Sequence, residues 1–385
     1  MSDRYFTRLF WILVMTLATG SSIARGELFH VERLNNALPI ISREHFKQLG
    51  VEKEGRNING PSVIRIPEWI PPEERVAREA SYYMYFAHHR GRYIRLAWAE
   101  KIEGPWQLYN TGKNIADGQR GVLDIGSDGI LPLENGLSIT HHIASPDVHV
   151  DNENRRIVMY FHGKIEFKGE KKSSNQVSFF AASPQGLDFS SGILPVPLSG
   201  HYLRVFEYKG ALQGLKNNHY YLPHSTENPW SIPAGFNLLN DRLWKHKEAE
   251  FLKFPTMNIE SGDIPSSKSA SVRHLALYRS GSTLNIFFTM KGHSPERMFV
   301  TRVDLERDCL PCAEAGTLPV EVLRPEELWE GSAVPPVPST GGLEKQLANA
   351  LRDPFVFEDG DNLYLFYVGG GEQAIGVAQL TMHQH

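Results

Sequence analysis

Carboxylates, imidazoles and guanidiniums recur in this sequence at two kinds of position: where an apolar strand opens, and where the strand after it closes. Strand openings supply Asn57, Asn59, Asp147, His201, Tyr202, Arg204, Arg273, His274, Arg352 and Asp353. Closing strands and the loops after them supply His88, His89, His162, His293, Glu296, Arg297 and Glu372. In an antiparallel meander these two positions lie at the same end of the sheet, so the residues converge on one rim if the opening strands line an axis. Converging carboxylates and imidazoles can exchange protons as general acid and base, and guanidiniums can hold anionic groups. Each residue also has a plainer reading. Asp147 and Asp353, both beside proline, can bond backbone amides at a turn, and the arginines can pair with the carboxylates in a buried network.

The elements that must position these residues are repeated. Five segments share the order strand, tight turn, aromatic-rich strand, further strand. They open at Gly60, Ser145, Leu203, Arg273 and Arg352, and their second strands read YYMYFA, IVMYFH, LNIFFT and LYLFYV wherever the repeat is least degenerate. Gly, Asp and Asn fill the turns, as hairpins require. The repeats start roughly sixty to eighty-five residues apart, longer than a compact blade, so insertions between strands are expected. Residues 70–80 read as a loop in the first unit and residues 318–351 as an elaborated connection into the last. Five antiparallel units with little helix predict an all-β, five-bladed β-propeller, with a β-sandwich as the structural alternative.

The remaining features bound the setting. Arg4 and Arg8 precede the apolar run Leu9 to Ala18, and Ser22-Ile23-Ala24 offers a cleavage site, so residues 1–24 read as a signal peptide and residues 25–385 as one propeller domain. Export follows, secreted or periplasmic, with no membrane contact after cleavage. The net charge of −4 on 385 residues implies neither nucleic acid nor an acidic membrane surface as partner. Cys309 and Cys312 are spaced C-x-x-C but lack further zinc ligands nearby, and fit a local disulfide or two ordinary thiols.

SPDVHVD (residues 145–151) and RDPFVFEDGDNLYLFY (residues 352–367) resemble the blade openings of the family-43 five-bladed glycoside hydrolases and their relatives. AEKIEGPW (99–106) and ASPQGLDF (182–189) resemble secondary signatures of the same enzymes, and the likeness spans about residues 55–380. It implies an exported glycosidase acting on poly- or oligosaccharide. That family uses a base Asp, an orienting Asp and an acid Glu opening blades one, two and three. Asp147 matches the second, whereas the first falls on Asn59-Gly60 and the third near His201-Tyr202.

The resemblance therefore implies a reshuffled catalytic set: Asp147 or Asp353 as base or nucleophile, and Glu296, His201 or His274 as acid. One group must protonate the leaving oxygen and another activate water or attack carbon. A related propeller enzyme acting on agar oligosaccharides uses a His as acid. Asn59, His88, His89, His162, Arg204, Arg273, Arg297 and Arg352 are the expected substrate-binding residues, and the cationic excess among them predicts an acidic or sulfated sugar. The alternative is a propeller that binds sugar without cutting it, using Trp98, Trp106 and Trp230; a phosphorolytic enzyme is a third class. No cofactor or catalytic metal is expected. Related propellers sometimes hold a calcium on the axis, but no dedicated oxygen-ligand loop is visible here.

Overall fold

The computed structural model describes residues 28–112, 120–168, 176–217, 219–238, 241–248, 271–306 and 319–383. The expected signal peptide and both cysteines lie outside them. The strands form five antiparallel sheets arranged as a five-bladed β-propeller. From the axis outward, the first blade is Asn59–Arg65, Tyr82–Ala87, Tyr93–Ala99 and Gln107–Leu108. The second is Leu137–Asp151, Arg156–Phe167, Gln176–Ser183 and Ser199–Gly200. The third is Arg204–Tyr208, Ala211–Lys216, His219–Pro223 and Trp244–Glu248. Ser271–Ser280, Thr283–Lys291, Met298–Asp304 and Val320–Leu323 make the fourth. The fifth is Leu351–Asp359, Asn362–Gly369, Ala374–Met382 and, from the start of the chain, Phe29–Arg33.

The second strands are apolar throughout rather than alternating because each blade is covered on both faces. Successive side chains of a strand point to opposite faces. Tyr83 and Tyr85 accordingly pack toward the second blade, while Met84 and Phe86 pack toward the fifth. The buried residues fall into five clusters, one at each blade-to-blade interface.

Two expectations about connections change. Residues 318–351 are more than a connection, since they contain the fourth blade's outer strand, Val320–Leu323. The fifth blade borrows its outer strand from residues 29–33, which the repeat pattern did not include.

At the openings of the first, second and fifth blades the inner strand carries a bulge. Gly60, Ser145 and Asp353 occupy the same place in it, all with positive φ (61°, 53° and 45°) and all followed by proline. A bulge of this kind re-aims the side chains on either side of it, and here it lies at the end of the axis where the candidate residues gather.

Candidate active site

That end of the axis holds a pocket of about 250 Å³ whose lining includes His89, His201, Tyr202, Arg273, His274 and Glu372. Two of its imidazoles are held in the same way. Nδ1 of His274 lies 2.9 Å from Oδ1 of Asp353, and Nδ1 of His89 lies 3.0 Å from Oε1 of Glu372. Both carboxylates are buried. Burial works against ionisation of Asp353, but His274 first, then Arg204 and Arg352, hold its carboxyl below the usual range. Anionic Asp353 therefore accepts the Nδ1–H of His274, which leaves Nε2 for the pocket. Glu372 is fixed on its other side by the amide of Asn57, 2.5 Å away, and Asn57 also accepts the backbone N–H of His89 at 2.7 Å. Asn59 stands behind, donating to Asn57 at 3.3 Å.

Beneath the pocket Arg352 bridges two carboxylates, with Nε 2.9 Å from Glu296 and Nη1 3.5 Å from Glu372. Glu296 also meets Arg273 at 3.2 Å and is fully buried. Clamped between two guanidiniums and shut off from solvent, it cannot pass a proton to a ligand, so the acid role expected of it does not hold. His201 does line the pocket, but burial and the nearby Lys216 push its pKa down to about 4, and it is neutral at ordinary pH. Tyr202 lies between His201 and His274, with ring centroids 5.0 and 5.2 Å away. Burial and the neighbouring Asp353 and Glu372 keep its phenol protonated.

Asp147 proves to have a structural task. Its Oδ2 accepts the backbone N–H of Val205 in the next blade at 2.8 Å, as Ser62 accepts that of Val148 at 2.9 Å. Ser62 and Asp147 are equivalent in register, facing Tyr85 and Tyr160 on their partner strands. The position equivalent to Asp353 in the second blade is thus Ser145. Arg204 joins the same seam, donating to the carbonyls of Ser145, Pro146 and Leu275. Asp147 opens instead toward the axial cavity of about 770 Å³ at the opposite face, where His149 contacts it at 3.1 Å. Asp147→Ala, which strands the Val205 amide between blades, is expected to cost about 1–3 kcal/mol in denaturant titration. The turnover of the folded fraction should not change.

Other expected binders also lie elsewhere. His162 is expected to end its strand, but that strand runs on to Phe167, so the ring is buried inside a long hairpin with Nε2 3.2 Å from Nε2 of His142. His88 accepts the backbone N–H of Arg90 in its own turn. Arg297 points outward to Glu321 at 3.2 Å. With Arg204 and Arg352 also engaged internally, the arginine excess that suggested an acidic sugar does not face the pocket. Trp98 and Trp106 are core residues, and Trp230 stacks on Phe180 at 4.2 Å. His142, Asn217 and Lys291 were missed. His142 precedes the assumed start of its strand, whereas Lys291 closes a second strand and the rim rule could have found it.

Its fold is that of a family-43 glycoside hydrolase. A thermostable family-43 enzyme superposes over 86% of this chain and 90% of its own, with a TM-score of 0.50 and 12% identity. A glycosyl hydrolase from Bacteroides ovatus covers 92% of this chain and 94% of its own, with a TM-score of 0.51 and 11% identity. In sequence, the chain is 29% identical over 380 residues to an uncharacterized protein of Acanthamoeba polyphaga mimivirus, spanning 97% of both. No protein-family model matches.

Of the carboxylates expected to open blades one, two and three, only the second is present, as Asp147; the first position carries Asn59-Gly60 and the third opening carries His201-Tyr202, Tyr202 with φ 62°. Of the three bulge positions Gly60, Ser145 and Asp353, only that of the fifth blade is acidic. Among the described residues no group of three or more His, Cys, Asp or Glu is placed to hold a metal, and no helix is long and apolar enough to cross a membrane.

Desolvated imidazoles, His293 buried and His88 and His142 half-buried, make stability depend on pH. Desolvation lowers His88 to about 3, and His142 and His293 to about 4, against roughly 6.5 in an unfolded chain. Between those values the unfolded state binds more protons, so stability is full above about pH 6.5 and falls as pH drops toward 4. The limit is about 1.4 kcal/mol per pH unit for each group. Denaturant midpoints at pH 7.5, 6 and 5 should fall in that order, and a midpoint unchanged from 7.5 to 5 would refute the assignment.

Proposed function

We propose that the protein is a glycoside hydrolase that cleaves an oligo- or polysaccharide in the rim pocket, with His274 and His89 as its proton-handling groups. The observation that carries this reading is the pair of imidazoles from different blades, each aimed at one pocket by a buried carboxylate on Nδ1. One imidazole, protonated, gives its proton to the leaving glycosidic oxygen. The other, neutral, takes a proton from the water that attacks the anomeric carbon. Asp353 and Glu372 fix the tautomers and stabilise whichever ring is charged. Tyr202, held as a phenol, can donate to a sugar oxygen. The shared fold supports the class of reaction, while the acid–base pair is this chain's own. Export belongs to the same reading and rests on the signal peptide expected in residues 1–24.

A second reading has its own support. Glu296, Glu372 and Asp353 each contact a guanidinium or an imidazole, as expected of a site that binds sugar without cutting it. Release of reducing ends from a panel of plant and algal polysaccharides decides between them. Turnover supports the hydrolase, binding without turnover supports the non-catalytic propeller, and neither overturns both.

A further inference from the structure

Lys291 closes the second strand of the fourth blade and reaches the rim pocket beside the loop that carries Gly341 and Gly342. Every other charged group of fixed sign on the pocket wall is committed. Glu372 is bonded by Asn57, His89, Arg352 and the backbone N–H of Glu344. Arg273 is shared between Glu296 and the carbonyl of Thr340. Glu344, on the same connection, faces Arg352 at 4.0 Å.

Lys291 has no ion pair or side-chain hydrogen bond among the described residues, and the pocket carries its charge unbalanced. The loop beside it is pinned to the strand end by mutual hydrogen bonds of Ser339 with Gly292 and His293. Gly342 has φ 92° and nothing within reach of an added Cβ, so glycine is required there by backbone conformation and not by packing. The amides of Gly341 and Gly342 donate to nothing among the described residues.

A free ammonium beside free backbone amides is a site for an anion. We infer that the pocket takes a saccharide bearing a carboxylate or sulfate group, held by Lys291 and the Gly341–Gly342 loop. This rests on the pocket being a sugar site, but not on its being catalytic. It restores the anionic substrate on a residue other than the arginines that first suggested one.

Calorimetry with matched pairs tests it: trigalacturonate against its methyl ester for the carboxylate arm, and a sulfated galactan tetrasaccharide against its desulfated form for the sulfate arm. In one pair the charged member should bind at least about tenfold tighter, with the preference shrinking as salt rises. Lys291→Met should abolish the preference and Lys291→Arg keep it. Equal binding within both pairs overturns the inference, as does a preference that survives Lys291→Met. Turnover of neutral polymer with no charged ligand bound leaves the hydrolase standing and removes the anion site. Charged ligand bound but never cut does the reverse, and neither binding nor cutting removes both.

Discussion

Replacing His274 with glutamine is expected to lower the rate of glycoside cleavage by about 10²- to 10⁴-fold, the usual contribution of a positioned general acid or base. The effect should fall on kcat more than on KM, because the imidazole does most for the proton in flight. Asp353→Asn should reproduce part of the loss, since an amide facing Nδ1 no longer selects the Nδ1–H tautomer. His201→Gln, which removes a ring already neutral at working pH, should cost less than tenfold. If His274→Gln turned over normally while His201→Gln did not, the roles of the two rings would be exchanged. If neither variant lost activity, the dyad would be only a structural joint.

The fold could be read in the sequence because a propeller repeats itself. Each blade needs the same turn residues and the same doubly covered second strand, so YYMYFA and LYLFYV announce the same element far apart in the chain. The rim rule worked for the same reason, bringing His89, His201, Arg273 and His274 to one pocket. Its failures trace to length and register. His162 read as a strand end because nothing in the sequence marks how far that hairpin continues, to Phe167. Asp147 and Asp353 both stand beside a proline, yet one follows it and the other precedes it. The bulge lies between those two positions, so a shift of two residues changes the face and moves the side chain from the rim to the seam between blades. Charge balance was illegible for a different cause: Arg204, Arg297 and Arg352 look like substrate ligands until their partners, from residues distant in the chain, are known.

The closing strand was the other element missing from the repeat pattern, and removing its anchor should have the largest effect on stability. Phe29–Arg33 pairs with Ala374–Met382, so the last blade is completed by the first residues of the ring and no radial edge is left open there. The joint is fastened by Glu330, which is fully buried. It accepts Nε and Nη2 of Arg33, both at 2.9 Å, the Tyr367 hydroxyl at 2.7 Å, and the backbone N–H groups of Glu326 and Glu327. Glu330→Ala takes the phenol's acceptor and two of the Arg33 guanidinium's, leaving Arg33 to Glu326 and the Arg324 carbonyl, and is expected to cost about 3 kcal/mol in chemical denaturation, the lower end for a broken buried pair. The Arg33→Ala, Glu330→Ala double variant should lose clearly less than the sum of the singles, because each single already breaks the same pair. Strict additivity would mean that Glu330 acts only through its own turn. A non-additive result would place the joint between the two ends of the ring, where opening exposes the strand to proteolysis before any other blade is disturbed.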